Sequence, residues 1–304
     1  MSRITMVMIL LCLSVPSYAE RFFTEVSGSR DSDDASSLML FTGYRQALDG
    51  PGVELEFAGG QRIYTEAGER EKFDSGRLLL LSTPGRNWNT ILRIEFLGGD
   101  DWSPTLPAAF FSNQFNKNWY AEVSAEREPV DSVSAIRNHI RVDSYVASAD
   151  YRLNNKVTLV GALISQHFSD DNQKRGGIGR IIISPAQLPG FHLQLKGRSL
   201  QADQDSPDYF SPRNLSEGLL LFGYAKAFLN DNWVIKLLGG PGLQRVEPFD
   251  DEANNKAVYQ AEIHMRGWFN DHVQLTSRLG CTSANDTREA YSYCFGKMHL
   301  GYAW

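Results

Sequence analysis

After its N-terminal leader, the sequence of 304 residues has no run of 18 apolar residues, which excludes a helical membrane protein. It also has no basic excess. The formal net charge is −6, so no nucleic-acid partner is expected. Charged residues make up 22% of the chain and hydrophobic residues 42%, a balance that excludes intrinsic disorder. Metal-site spacings of histidine, cysteine and carboxylates are missing, as is a glycine-rich phosphate loop. We therefore expect no metal and no cofactor.

Aromatic residues and glycine are plentiful, at 12% of the chain and 26 residues respectively. This combination is typical of a sheet protein with many tight turns. It also fits a transmembrane β-barrel, in which only every second residue of a strand needs to be apolar.

The N-terminal segment has the features of an export signal. Arg3 precedes an apolar stretch from Met6 to Val15, and the small residue Ala19 ends the segment just before Glu20. We predict a signal peptide over 1–19 and a single β-barrel domain over 20–304. The apolar run is too short to favour a membrane anchor.

Charged and apolar residues alternate through the rest of the chain in segments of about ten residues. Arg93 and Glu95, for example, alternate with leucine, isoleucine and phenylalanine. A period of two predicts an all-β fold, a transmembrane antiparallel β-barrel of about 16 strands. Pro104 and Pro107 disturb the segment 106–115, so 12 or 14 strands are the alternatives. The predicted strands are 21–29, 36–47, 52–65, 75–85, 90–98, 106–115, 118–128, 142–153, 156–168, 177–186, 191–200, 216–229, 232–247, 254–269, 272–283 and 288–304.

Short turns alternate with longer polar loops along the chain. In outer-membrane barrels the short turns face the periplasm and the long loops face outward. The pattern therefore predicts the outer membrane of a Gram-negative envelope, with outer-membrane lipid around the barrel. A soluble sheet protein with an aromatic core is the alternative. The predicted long loops are Arg30–Ala35, Thr65–Asp74, Gly99–Thr105, Glu128–Arg141, Ser169–Gly176, Gln201–Leu215, Glu247–Asn255 and Ser283–Arg288. The segment Gly239–Gly242 predicts a bend or bulge within a strand.

An alternating strand closes the chain and ends in Tyr302 and Trp304. A terminal aromatic of this kind resembles the signal read by the barrel assembly machinery, so we predict that role for both residues. Other aromatics cluster near the short turns, as in the girdle at a membrane interface, although some must point inward. They are Trp88, Trp119, Tyr120, Tyr151, Phe228, Trp233, Trp268 and Phe269.

Charged strand residues belong on the inner face, since a basic side chain facing lipid at mid-depth costs about 2–4 kcal/mol. Both signs occur, so we expect pairing between strands, and the mixture selects neither a cationic nor an anionic solute. An open channel and a plugged barrel both remain compatible with this set. The predicted lumen residues are Glu54, Glu56, Arg93, Glu95, Glu122, Glu126, Asp150, Arg152, Arg180, Lys196, Arg198, Lys236, Glu262, His264, Arg266, Trp268, Arg278, Lys297 and His299.

Two cysteines follow the leader, Cys281 and Cys294. They could form a disulfide across one hairpin, or remain two thiols on a lipid-facing surface.

An enzyme is not expected. His264 and Ser277 lie on neighbouring predicted strands, but the alternation places His264 inside and Ser277 toward lipid. No motif supplies a nucleophile together with an orienting acid.

Three stretches together resemble a known family. They are Glu126–Ser132 (EREPVDS), His167–Arg175 (HFSDDNQKR, close to an F-S-D-G-N-x-R pattern) and Asp208–Pro212 (DYFSP). Their order and spacing resemble the C-terminal barrels of bacterial exopolysaccharide export porins, which export poly-N-acetylglucosamine or cellulose, and the shorter YaiO-type outer-membrane barrels. The resemblance covers residues 118–304 and implies polysaccharide export. Asp171 stands where the family usually has a glycine.

The full exporters also carry a tetratricopeptide domain before the barrel. Here the leader runs straight into the first strand, so the resemblance implies a separate periplasmic export partner. We predict a passive conduit for exopolysaccharide export or a related porin-like role. The alternatives are a non-conducting structural barrel of an envelope complex and, less favoured, a lipid-modifying outer-membrane enzyme.

Two loops are candidate gates. Asp203–Pro212 could fold inward, with Tyr209 and Phe210 as an apolar insert and Pro212 stiffening the turn. Residues 128–141 carry apolar residues at spacings of three and four, which predicts a short helix that could lie across the mouth. For both loops, packing on the rim of the barrel is the alternative.

Overall fold

The computed structural model describes residues 20–32, 34–48, 52–83, 87–229, 232–286 and 289–303. The predicted signal peptide and Trp304 lie outside the described residues. Within the described ranges, no helix is long and apolar enough to cross a membrane.

Sixteen antiparallel strands pair in sequence order, and β1 pairs with β16 to close a barrel. The predicted fold class and strand number are confirmed, and the alternatives of 12 and 14 strands are excluded. One helix, α1 (Val133–Arg137), lies between β7 and β8. The strands are β1 (Glu20–Asp31), β2 (Ser36–Ala47), β3 (Val53–Glu66), β4 (Glu69–Ser82), β5 (Trp88–Gly98), β6 (Thr105–Gln114), β7 (Trp119–Pro129), β8 (Arg141–Arg152), β9 (Val157–Phe168), β10 (Gln173–Ile183), β11 (Phe191–Ala202), β12 (Asn214–Phe228), β13 (Trp233–Glu247), β14 (Asn254–Trp268), β15 (Val273–Asp286) and β16 (Glu289–Ala303).

Strand β6 forms despite its proline. Pro107 pairs with Ile94 of β5, while the ladder between β6 and β7 begins one residue later, at Ala108. Pro107, which has no N–H, therefore lies just outside the ladder between β6 and β7.

The predicted long loop Thr65–Asp74 is wrong. Strands β3 and β4 pair as far as Glu66 and Glu69, and only Ala67 and Gly68 connect them, both at positive φ. Strand β10 and the hairpin of β15 and β16 likewise extend further than predicted. The predicted loops Ser169–Gly176 and Ser283–Arg288 are therefore too long. Beyond the bilayer a strand needs no apolar face, so a polar sequence can continue the ladder there.

The segment Gly239–Gly242, which the sequence predicts to contain a bend or bulge, contains no bulge against β12. Leu219 pairs with Gly242 and Phe222 with Gly239, so the register between β12 and β13 is unchanged across the segment. Pro241 has no N–H to donate, which interrupts the ladder without adding a residue.

The outer face of the barrel is apolar. Leu163 and Leu243, on β9 and β13, leave 71% and 72% of their surface exposed. Near the short turns, the rings of Trp119 and Tyr151 pack together with their centroids 4.6 Å apart. Tyr302 lies on the same outer face at the end of β16. This surface matches the apolar band and aromatic girdle of a barrel in a bilayer. Two of the predicted girdle residues instead occupy inner-face positions, Tyr120 and Trp268.

Cys281 and Cys294 are joined by a disulfide. They lie directly opposite each other on β15 and β16. Their positions alternate with the inward Arg278 and Lys297, so the disulfide lies on the outer face.

Candidate functional site

The predicted lumen residues all occupy inner-face positions of their strands. On β14, for example, Glu262 and His264 share a face with the buried Val258, while Tyr259 is exposed on the outer face. Further inward charges were missed by the sequence analysis, although each continues the alternation of a predicted strand; they include Glu25, Arg45, Arg62, Arg77, Glu128 and Glu217.

A buried charge network joins β3, β5 and β7. Arg62 donates from Nε and Nη2 to the Glu95 carboxylate at 2.6 Å each, and from Nη1 to Glu128 at 2.7 Å. Ser75 also donates to Glu95, and Arg93 donates to Glu128 at 2.5 Å. The side chains of Arg62 and Glu95 are only 4% and 1% exposed. Each buried charge therefore has a bonded partner of opposite sign.

A second network continues around the same wall. Glu56 accepts hydrogen bonds from Arg45 at 2.9 Å and from Arg77 at 3.0 Å. Arg77 also reaches Glu25, which lies 3.1 Å from Lys297 of β16. These ion pairs therefore connect β1 to β4 and, across the closure of the barrel, β1 to β16.

The opposite wall carries two carboxylates among many bases. Glu217 accepts from Arg198 at 3.1 Å and lies 3.9 Å from Lys196 Nζ. Glu262 accepts from Arg278 at 2.7 Å and lies 3.1 Å from His264 Nε2. Each carboxylate therefore interacts with two basic side chains.

Water reaches the lumen from the end with the short turns. His264 and Lys297 are 42% and 35% exposed, although both side chains point inward. Glu262, only two residues along β14 from His264, is 4% exposed. The interior is therefore a vestibule on the periplasmic side that narrows to a zone filled by ion-paired side chains.

Helix α1 folds into the opposite, external mouth. Ser132 caps the helix by accepting from the Ala135 N–H at 3.1 Å. Val133 and Ile136 pack among inward side chains of β3 to β6. Their contacts are Tyr64, Phe73, Leu97 and Leu106. The predicted short helix is therefore present, and it packs on the inner side of the wall.

The loop 203–213 also folds inward. Tyr209 stacks on Phe168 of β9 with ring centroids 4.4 Å apart, and Lys174 Nζ lies over both rings. Phe210 packs on inward apolar residues of β11 to β13, and its carbonyl accepts a hydrogen bond from Lys174. Pro212 is buried behind them. Burial, and the hydrogen bond that Tyr209 donates to a carboxylate, raise the pKa of the Tyr209 hydroxyl well above its ordinary value.

One residue joins the two loops. The carboxylate of Asp208 accepts from Ser134 Oγ and from Asn138 Nδ2, the latter at 3.0 Å. The Asp208 carbonyl accepts from Ser132 Oγ at 2.6 Å. We call this set of contacts the latch, and the two loops together the external gate.

The three stretches that carry the family resemblance meet at this gate. The first contributes Ser132 to the latch, and the second anchors the third through Asp170 to Tyr209 and Asn172 to Ser211, both at 2.9 Å. Asp171, which replaces the usual glycine, has φ of 68° in the left-handed region that glycine favours.

His264 and Ser277 are not combined into a catalytic pair. His264 points into the lumen toward Glu262, while Ser277 occupies an outer-face position of β15. Among the described residues, no group of three or more His, Cys, Asp or Glu side chains could hold a metal ion.

The fold is similar to that of solved structures. No protein-family model matches the sequence, and no curated protein does. A solved structure titled a bacterial polysaccharide outer membrane secretin superposes with a TM-score of 0.75 at 13% identity, over 94% of this chain and 99% of that chain. Pseudomonas aeruginosa OccK11 (OpdR) gives a TM-score of 0.48 at 9% identity, over 93% of this chain and 94% of that chain.

The likeness to that structure agrees with the closed sixteen-strand barrel. The chain is a β-barrel of the cell outer membrane.

Proposed function

We propose that this protein is a passive conduit for a polysaccharide across the outer membrane, held shut at its external end by the gate. The observation that carries the proposal is the latch. It consists of polar contacts between two loops, whereas the vestibule at the other end of the barrel is lined by charged side chains and open to the periplasm. Contacts of this kind can break and reform without unfolding the barrel.

The lining supports a sugar polymer as the cargo. Tyr120, Trp268 and His299 occupy inner-face positions among the ion pairs. Aromatic faces stack on the apolar faces of sugar rings, while charged groups bond the hydroxyls. The resemblance of the three gate stretches to exopolysaccharide exporters points the same way. A separate periplasmic partner would deliver the chain to the vestibule.

The gate can be tested by single-channel conductance in planar bilayers. Asp208→Ala removes two accepted hydrogen bonds and leaves the backbone contact in place. At about 1–3 kcal/mol in total, this loss raises the ratio of open to closed states by roughly 5- to 150-fold. Asp205→Ala changes an exposed aspartate of the same loop and serves as the control. Conductance that is equal in the wild type and in both variants would contradict the gate.

The alternative is a barrel that scaffolds an envelope complex without conducting. The Arg62 network favours it, because fully paired buried charges can fill a lumen permanently. Deleting residues 203–212 separates the two functions. A conduit gives open channels after the deletion, and polymer secretion falls in a strain lacking the protein. A scaffold gives no channels even without the loop.

A further inference from the structure

The two signs of charge are sorted onto opposite walls of the lumen. Between β1 and β8, acidic side chains dominate the inner face. From β10 to β15 the inner face carries a set that we call the basic wall, which consists of Arg180, Lys196, Arg198, Lys236, Arg266 and Arg278. Two carboxylates, Glu217 and Glu262, share the described strand segments of that face. The sequence alone gives a mixture, whereas the barrel closure separates it.

Glu217 and Glu262 do not pair with every base of the basic wall. Glu217 and Glu262 are already bound to Arg198 and Arg278. Arg180 and Lys236 form no ion pair with any residue in the described part of the chain. The Nε of Arg180 is buried without a hydrogen-bond partner. Positive charge and an unused donor therefore remain on this wall.

The acidic wall does not cancel this excess. Several of its buried carboxylates are held by their own arginines, as Glu95 is by Arg62 and Glu56 is by Arg77, and Glu122 is held by the Tyr120 hydroxyl. Such paired charges project a weak field across the lumen. Water and salt further screen any charge more than about 8 Å away. A solute beside the basic wall therefore experiences mainly the positive charge of that wall.

The basic residues are stepped along the axis. Arg266 lies two residues from the periplasmic end of β14, Lys236 three from that of β13, Arg278 five from that of β15 and Arg198 seven from that of β11. At about 3.3 Å per residue, the steps span from roughly 7 to 23 Å along the strands. Bases at successive depths fit a polymer with repeating charges better than one small ion.

We infer that the basic wall is a binding track for a solute with repeating anionic groups, carboxylate or phosphate, which enters from the periplasm. The inference rests on the proposed conduit and narrows its cargo to an anionic polymer. Arg266, Lys236 and Arg180, two to three residues from the periplasmic ends of their strands, make the first contacts at the vestibule, and Arg278 receives the groups that follow.

Calorimetric titration of the full chain in detergent tests this track without requiring an open channel. The probes are a uronic-acid hexasaccharide, tripolyphosphate, neutral maltohexaose and a cationic chitosan hexamer. We expect at least one anionic probe to bind at least tenfold more tightly than the neutral and cationic probes, and to bind more weakly as salt increases. The two anionic probes distinguish carboxylate from phosphate.

Lys236→Glu with Arg266→Glu should weaken anion binding by about tenfold or more. Lys117→Glu with Lys156→Glu makes the same charge change at exposed periplasmic turns and should have little effect. Lys236→Gln keeps the test valid if the double reversal impairs assembly. Equal binding of all four probes, or equal losses in the lumen and turn variants, overturns the inference.

These experiments distinguish failure of the conduit proposal from failure of the anionic-track inference. If Asp208→Ala and the loop deletion give no channels but anionic probes still bind the track, the conduit proposal fails and the track stands. If the channels open and no anionic probe is preferred, the conduit stands and the anionic cargo is wrong.

Discussion

Removing Arg62 should destabilise the barrel far more than removing an exposed arginine with similar partners. Arg62 makes two bonds to Glu95 and one to Glu128. In Arg62→Met the side chain keeps its approximate length but donates nothing. Glu95, which has no exposed surface, would then rely on Ser75 alone, while Glu128 would keep Arg93.

The magnitude follows from the burial of this pair. Breaking a buried ion pair by removing one partner costs about 3–5 kcal/mol, because the remaining charge stays desolvated. Combining Arg62→Met with Glu95→Gln removes both the cation and the stranded negative charge. The double variant should therefore recover part of the loss, which makes the two effects strongly non-additive.

Heat-modifiable gel migration and guanidinium unfolding of the detergent-solubilised barrel measure both effects. Arg137→Met is the matched control, since Arg137 also bonds two carboxylates, those of Glu69 and Glu71, but does so in solvent. It should unfold close to the wild type. Equal stability of Arg62→Met and Arg137→Met would refute the reasoning that burial sets the cost.

Two further predictions concern the outer face. Leu163→Arg places a cation on the lipid side at the middle of β9 and should lower the stability of the barrel by about 2–4 kcal/mol. Leu153→Arg, at the periplasmic turn, should lower it by about 0–1 kcal/mol. Equal losses of stability in membrane-extracted barrels would contradict the assignment of that face to lipid. Replacing Cys281 and Cys294 with serine removes a disulfide between residues 13 positions apart and should lower stability by up to about 3 kcal/mol. Reductant should lower the stability of the wild type by a similar amount and leave that of the double variant unchanged.

Local pattern was sufficient for the architecture. A period of two assigns each strand residue to one face, so the inner-face positions of Arg93, Glu95 and Glu262 follow from their neighbours alone. Fourteen of the sixteen strands begin within two residues of the predicted position, but β4 and β10 begin earlier than predicted. There the ladder continues where the sequence is polar on both faces, and alternation no longer marks a strand.

The gate and the charge sorting required the closed barrel. Nothing in the spacing of Ser134 and Asp208 along the chain shows that they touch, because loops from β7 and β11 meet only when the wall brings their ends to one mouth. The sequence by itself determined which face each strand residue occupies, since that depends on backbone geometry within one strand. Only the tertiary structure decided which inward residues meet, because those distances depend on how sixteen strands curve around a common lumen.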